Sequence, residues 1–208
     1  MSAEVSAVFL VRGSTDELVP AELRDGIGEL ELQHWEHHWR PYLIERVRAM
    51  QAQGVPRAKW PQQLHWNWRL KATVAEMFLG QRGFATRCEG MTQGLMLVGL
   101  LSDARIVEQR GKPLVYVDYL EAAPWNQSSL QRPPKYRGVG SLLIHAAVTL
   151  SVEETFSGRT GLHSLPQSDT FYRNVCGMTD LGLDAAKQNL RYFEMTPEQA
   201  QVFLKKGR

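Results

Sequence analysis

The sequence predicts an α/β fold in which a largely antiparallel sheet is flanked by helices and preceded by an N-terminal helical segment. Three observations lead there. Apolar residues recur every three or four positions in two segments, Trp35 to Met50 and Leu64 to Leu79; strand-like runs divided by glycine turns follow; and helical and strand periods alternate after residue 139. The 208 residues, 43% of them hydrophobic and 22% charged, are read as one domain with a helical part at about 31–80 and a core at about 83–195.

Each element has its own signal. The run AVFLVRG is a first strand followed by a polar loop. From His34, the residues Trp35, Trp39, Leu43, Val47 and Met50 mark one face of a helix that Gly54 and Pro56 close. A second helix is expected from Pro61, carrying Leu64, Trp68, Ala72, Ala75 and Leu79, with Gly80 at its end. FATRCEG, LMLVGLLSDARIV and LVYVDYLEAA are three strands of an antiparallel meander, separated by Gly90–Gly94 and Gly111-Lys112-Pro113. A helix with Val139, Leu143, Ala146 and Leu150 on one face comes next. TGLHSLP is a strand, SDTFYRNV a short helix and LRYFEM a strand; Thr196-Pro197-Glu198-Gln199 has the form of a capping box that starts a last helix.

Charge and composition narrow the function. The net charge is +2 and no block of like charges occurs, so general nucleic-acid binding is not expected. No segment approaches the roughly 20 apolar residues of a bilayer span. The short run Ala7–Val11 lacks the length and basic flank of a signal sequence. Cys88 and Cys176 stand far apart, which implies no disulfide framework, and a reducing cytoplasm is the expected compartment.

The chemistry concentrates in RPPKYRGVGSLLIHAAVTL. A helix start leaves its first amides without partners and carries about half a positive charge, so an anion binds there if side chains stay clear. Gly138 and Gly140 clear that space, with Lys135, Tyr136, Arg137, Val139 and Ser141 around them. The spacing is neither a dinucleotide fingerprint nor a Walker loop.

This stretch, together with TFYRNVCGM downstream, resembles the GNAT superfamily of acyl-CoA-dependent N-acyltransferases over about residues 83–195. In that family an Arg/Gln-x-x-Gly-x-Gly/Ala turn follows the fourth strand and its amides hold the pyrophosphate of coenzyme A. The resemblance implies that Lys135 to Ser141 bind acetyl-CoA, with lysine standing where the family has Arg or Gln. It also implies a mixed sheet, backbone groups of Leu120 and Ala122 presented to the cofactor, and Tyr172 close to its sulfur. The link WNQSSLQRPP is longer than the family's usual one.

Acyl transfer to an amine requires a neutral amine, and removing the proton of an ammonium near pKa 10.4 at neutral pH costs about 4–5 kcal/mol. A base or a water relay is therefore expected. Asp118 is the candidate, because alternation puts it on one face with Tyr116, Leu120 and Ala122 and turns Glu121 the other way. Tyr172 is the candidate acid for the departing thiolate. Trp66, Tyr116 and His163 are candidate acceptor contacts, and the acceptor site is expected between the N-terminal helices and the end of the fourth strand. His34 and His38 have the spacing of a metal pair, but HWEHHW matches neither HExxH nor its inverse, so no metal is expected. The expected activity is transfer of an acetyl group from acetyl-CoA to a small-molecule or protein amine; a CoA-binding module without transfer is the alternative.

Overall fold

The structure, a computed structural model, describes residues 4–206. Its strands are β1 (Val5–Arg12), β2 (Leu18–Asp25), β3 (Gln81–Cys88), β4 (Met91–Asp103), β5 (Pro113–Ala122), β6 (Tyr136–Arg137), β7 (Thr160–Ser164), β8 (Thr179–Asp184) and β9 (Leu190–Met195). The helices are α1 (Glu29–His34), α2 (Arg40–Ala52), α3 (Trp68–Glu76), α4 (Val139–Glu153) and α5 (Pro197–Lys206). Among the described residues the strands form one sheet in the order β6-β1-β2-β3-β4-β5-β7-β9-β8. The pairs β1/β2, β1/β6, β2/β3, β7/β9 and β8/β9 are antiparallel, whereas β5 and β7 are parallel. A parallel pair needs a long crossover, which α4 supplies.

The chain clusters into two compact units. One contains the chain up to Met77 with Gly83–Leu95 and Glu121–Gly140; the other contains Phe78–Arg82, Met96–Leu120 and the chain from Ser141. In the first, Trp39 is buried and its Nε1–H donates to the Thr92 carbonyl at 3.0 Å. Leu43 and Val47 of α2 pack on Leu130, with Met50 and Trp60 at the margin. In the second, Leu143, Ile144, Ala147 and Val148 of α4 are buried, as are Leu114, Phe193 and Met195 of the strands.

The first helical segment begins earlier than its apolar period suggests, at Glu29, where the Glu31 carboxylate accepts from the Gly28 amide at 3.0 Å. Between α1 and α2, Trp35–Trp39 forms a wide π-type turn in which the Arg40 amide bonds to the Trp35 carbonyl five residues back. Pro41 cannot donate the bond that an α-helix would require of it, and a wide turn just ahead absorbs the defect. The turn also suits the spacing of Trp35, Trp39, Leu43 and Val47, because steps of four drift off a 3.6-residue period unless one turn is widened. All four residues are buried.

The second helix is shorter than expected. Gln62–His65 forms a 3₁₀ turn, and α3 starts only at Trp68, with Asn67 Oδ1 capping the Leu70 amide at 3.0 Å. Leu79 lies beyond it and is exposed. The strands β3, β5, β7 and β9 and the helices α4 and α5 stand where their sequence signals lie, but β4 begins at Met91, inside the stretch expected to be a turn, because Glu89 and Gly90, both at positive φ, complete that turn, and it ends at Asp103, short of Val107. Three strands escaped those signals: β2, which contains Pro20; β6, which is two residues long; and β8, which is interrupted by a bulge between Asp180 and Leu183 near Gly182 at φ +87.

The last helix has the reciprocal cap that its sequence implies. Thr196 Oγ1 accepts from the Gln199 amide at 3.3 Å, and Gln199 Oε1 accepts from the Thr196 amide at 2.9 Å. Thr196→Ala should therefore lower stability by about 1 kcal/mol in urea unfolding. An unchanged midpoint would mean that this cap contributes nothing.

Candidate active site

The first unit contains a cavity of about 270 Å³. The wide turn supplies Trp35 and Trp39, α2 supplies Arg40, Leu43 and Ile44, and the segment before α3 supplies Gln63, Leu64 and Trp66. Glu121, near the C-terminal end of β5, and Pro124 complete it.

Glu121 is the unusual member. Its residue is 5% exposed, and one carboxylate oxygen accepts from Trp68 Nε1–H at 2.6 Å. Burial pushes its pKa up to about 7, against the opposing pull of hydrogen bonds from Trp68 and Gln63 and of the Lys71 charge. Near neutral pH it therefore exchanges a proton readily, as a general base must. Lys71 lies over the Trp66 ring at 5.0 Å, and Trp66 meets Trp68 edge to face at 6.3 Å.

The long link after β5 is an ordered part of this unit. Trp125 Nε1 and Asn126 Nδ2 both donate to Gln93 Oε1 at 2.9 Å, and Trp125 meets Trp39 and Tyr42 edge to face. Gln63 Nε2 donates to Gln127 Oε1 at 2.8 Å, and Gln127 Nε2 to the Ala122 carbonyl at 2.7 Å. Tyr42 donates to Gln131 at 2.6 Å. The extra residues thus fix the end of β5 and the segment that carries Gln63.

The glycine turn enters α4 from β6. Gly138 has φ +94, a conformation that side chains disfavour, and a Cβ added there would meet nothing closer than Leu10 at 3.9 Å. Val139 and Gly140 begin α4, so their amides belong to the group that has no partner inside the helix. Around them Tyr136 is turned inward: it is buried and donates to Glu89 at 2.6 Å, and its amide donates to Asn126 Oδ1 at 2.9 Å, so neither its hydroxyl nor its amide is left for the cofactor contact expected of it. Lys135 Nζ lies 3.9 Å from Glu89, and Arg137 pairs with Asp16 at 2.5 Å.

The remaining sequence candidates are distributed differently from expectation. Alternation holds along β5, but Glu121 is the carboxyl that faces the cavity; Asp118 is exposed and accepts from Gln81 Nε2 at 3.3 Å. The Ala122 carbonyl is engaged by Gln127, while Leu120 is half-buried. In the second unit, Tyr116 and His163 form a chain of their own. Tyr116 Oη lies 2.5 Å from His163 Nδ1, and His163 Nε2 lies 2.9 Å from Asp184, which Arg105 holds down near pKa 2 by a 2.6 Å hydrogen bond. Burial lowers the His163 pKa and raises that of Tyr116 to about 12. Tyr172 is buried, edge to face with Phe171 and tilted against Phe193, and burial raises its phenol. His34 Nδ1 is held by Thr92, whose amide donates to it at 3.3 Å.

No protein-family model and no curated protein sequence matches the chain. Solved structures do match. FeeM, an N-acyl amino acid synthase from uncultured soil microbes, superposes with a TM-score of 0.51 at 13% identity, over 88% of this chain and 93% of that one. RimL, a ribosomal L7/L12 alpha-N-protein acetyltransferase, gives 0.50 at 13% identity over 93% and 94%. Mycobacterium smegmatis RimJ in complex with CoA-disulfide gives 0.49 at 14% identity over 100% and 98%. This chain has the GNAT fold. Among the described residues, no helix of this GNAT fold is long and apolar enough to cross a membrane.

Glu121 was missed as a site residue because its face was identified without knowledge of what covered it. The available signal was its setting, an acid followed by Ala-Ala-Pro-Trp at the end of an apolar strand.

The raised pKa makes a stability prediction. The folded chain holds the Glu121 proton more tightly than an unfolded carboxyl with a pKa near 4.5 does. This contribution is fully present below the unfolded value and fades as pH rises through about 7. Glu121→Gln keeps an acceptor for Trp68 and removes the titration. Unfolding midpoints of wild type should fall relative to the variant between about pH 5 and 8, whereas parallel curves would indicate an ordinary carboxylate.

Proposed function

We propose that the chain transfers an acyl group, with acetyl as the expected case, from a coenzyme A thioester to an amine held in the tryptophan-lined cavity. The observation that carries this reading is Glu121, a buried carboxyl whose pKa is raised to about 7 and which lines a cavity of about 270 Å³. The fold is compatible with it, and the motif resemblance around Gly138 points the same way.

The residues present suit the cosubstrate. The φ +94 glycine, open on the side a Cβ would occupy, precedes a helix start whose amides suit a pyrophosphate. Because Lys135 and Arg137 already have carboxylate neighbours, the attraction rests mainly on those amides. When bound, the thioester supplies an activated acyl carbon.

Glu121 as carboxylate takes one proton from the acceptor ammonium and leaves a neutral nitrogen. That nitrogen forms the amide bond and loses its second proton as the carbon–sulfur bond breaks, while the sulfur gains one proton. We keep Tyr172 as the proposed donor of that proton, since its burial keeps the phenol protonated at any working pH. Glu121 returns its proton to solvent, and the second nitrogen proton passes through water to the Tyr172 oxygen, so that both residues regain their starting states. The base role proposed for Asp118 on sequence grounds passes to Glu121, whose position in the cavity suits an amine better than an exposed carboxylate does. Trp66 keeps its proposed place as an acceptor contact, because it lines the cavity. Tyr116 and His163 belong to the second unit and do not line this cavity, so the acceptor role expected of them is not carried into this reading.

Thiol release from acetyl-CoA with an amine panel tests this reading. Glu121→Gln should lower kcat by about 100-fold or more, and wild-type kcat should rise with pH through an inflection near 7. A variant with wild-type turnover would overturn the base assignment. Gly140→Val is the better test of the phosphate turn, since at Gly138 any side chain also strains the backbone. It should weaken CoA binding at least about tenfold in calorimetry while the melting temperature holds; unchanged affinity would move the pyrophosphate elsewhere.

A further inference from the structure

The cavity is chemically asymmetric. Of the side chains that line it, Arg40 is a permanent cation and Glu121 a titratable acid, and every other one is neutral. Arg40 is exposed, Glu121 is buried, and the indoles of Trp35, Trp39 and Trp66 share the lining with them. Among the described residues no carboxylate pairs with Arg40; its guanidinium lies 5.9 Å from the Trp35 ring centroid. By contrast Arg69, also in this unit, is paired with both Glu29 and Glu36.

We infer that the acceptor is a free amino acid with an apolar or aromatic side chain, a reading that rests on the proposed transferase function of this cavity. Such a molecule presents an amine for Glu121, a carboxylate for Arg40 and an apolar body for the indoles. A plain aromatic amine leaves the guanidinium without a counter-charge. A peptide N-terminus does the same, because its first carbonyl is an amide. Size agrees: a cavity of about 270 Å³ lies just below the range of about 300–1,000 Å³ typical of drug-sized ligands, which suits a single small residue. Guanidinium and carboxylate also form the planar two-point pair that would fix the orientation of the amine.

The test compares phenylalanine, phenylalaninamide and phenethylamine on the full chain, both as acceptors for acetyl-CoA and as ligands in calorimetry. Phenylalanine should bind about 10- to 100-fold more tightly than the other two, the range expected for one charged hydrogen-bonded contact. Arg40→Gln should shrink that preference at least about tenfold, and Arg40→Lys should restore part of it. Arginine-dependent binding of phenylalanine without thiol release would overturn the transferase reading and with it the acceptor role inferred here, leaving the cavity as an amino-acid-binding site. Equal or better binding of phenylalaninamide or phenethylamine would overturn the inference, the former in favour of a protein N-terminus. No binding of any of the three would overturn it as well.

Discussion

The first unit is arranged around one hydrogen bond, from the Trp68 indole to the buried Glu121 carboxyl at 2.6 Å. A carboxyl removed from water without partners costs several kcal/mol, and the usual escape is to bind a proton. Here the escape is only partial. Trp68 and Gln63 stabilise the charged form enough to hold the pKa near 7 rather than far above it. The supports extend outward, since Gln63 bonds to Gln127 and Gln127 to the Ala122 carbonyl, so the loop after β5 and the turn before α3 are tied to the strand that carries the acid.

Much of the remaining design follows from that burial. The wide turn at Trp35–Trp39, placed just ahead of Pro41, keeps two indoles on the inward side of the N-terminal helical segment. The link after β5, longer than the family pattern, is held by Trp125 and Asn126 on Gln93 and by Tyr42 on Gln131. A loop with so many side-chain partners behaves as a wall and not as a spacer.

The fold was legible where a period or a punctuation mark was strong. The meander, α4 and its glycine entry, and the Thr196 capping box all stood in the sequence because each rests on local chemistry. The strand β2 was hidden by Pro20, a residue that strand interiors normally exclude, although Val19 and Ala21 alternate inward with Pro20 and Glu22 outward; β6 is too short to show a period, and the bulge of β8 breaks its alternation. The site was legible in part. The tryptophans and the glycine turn could be singled out, but the choice between Asp118 and Glu121 depended on which face of β5 is covered, and alternation gives the two faces without naming the buried one. Only the packing of Trp68 and Gln63 does that.

The central claim is that a carboxyl in this cavity titrates near neutrality. Infrared difference spectroscopy of the carboxyl C=O stretch, with Glu121→Gln as the blank, reads that titration directly in the intact chain without any substrate. The account predicts a protonated band assigned to Glu121 that disappears with a midpoint near pH 7. A midpoint near the ordinary carboxylate value of about 4.5 would contradict it.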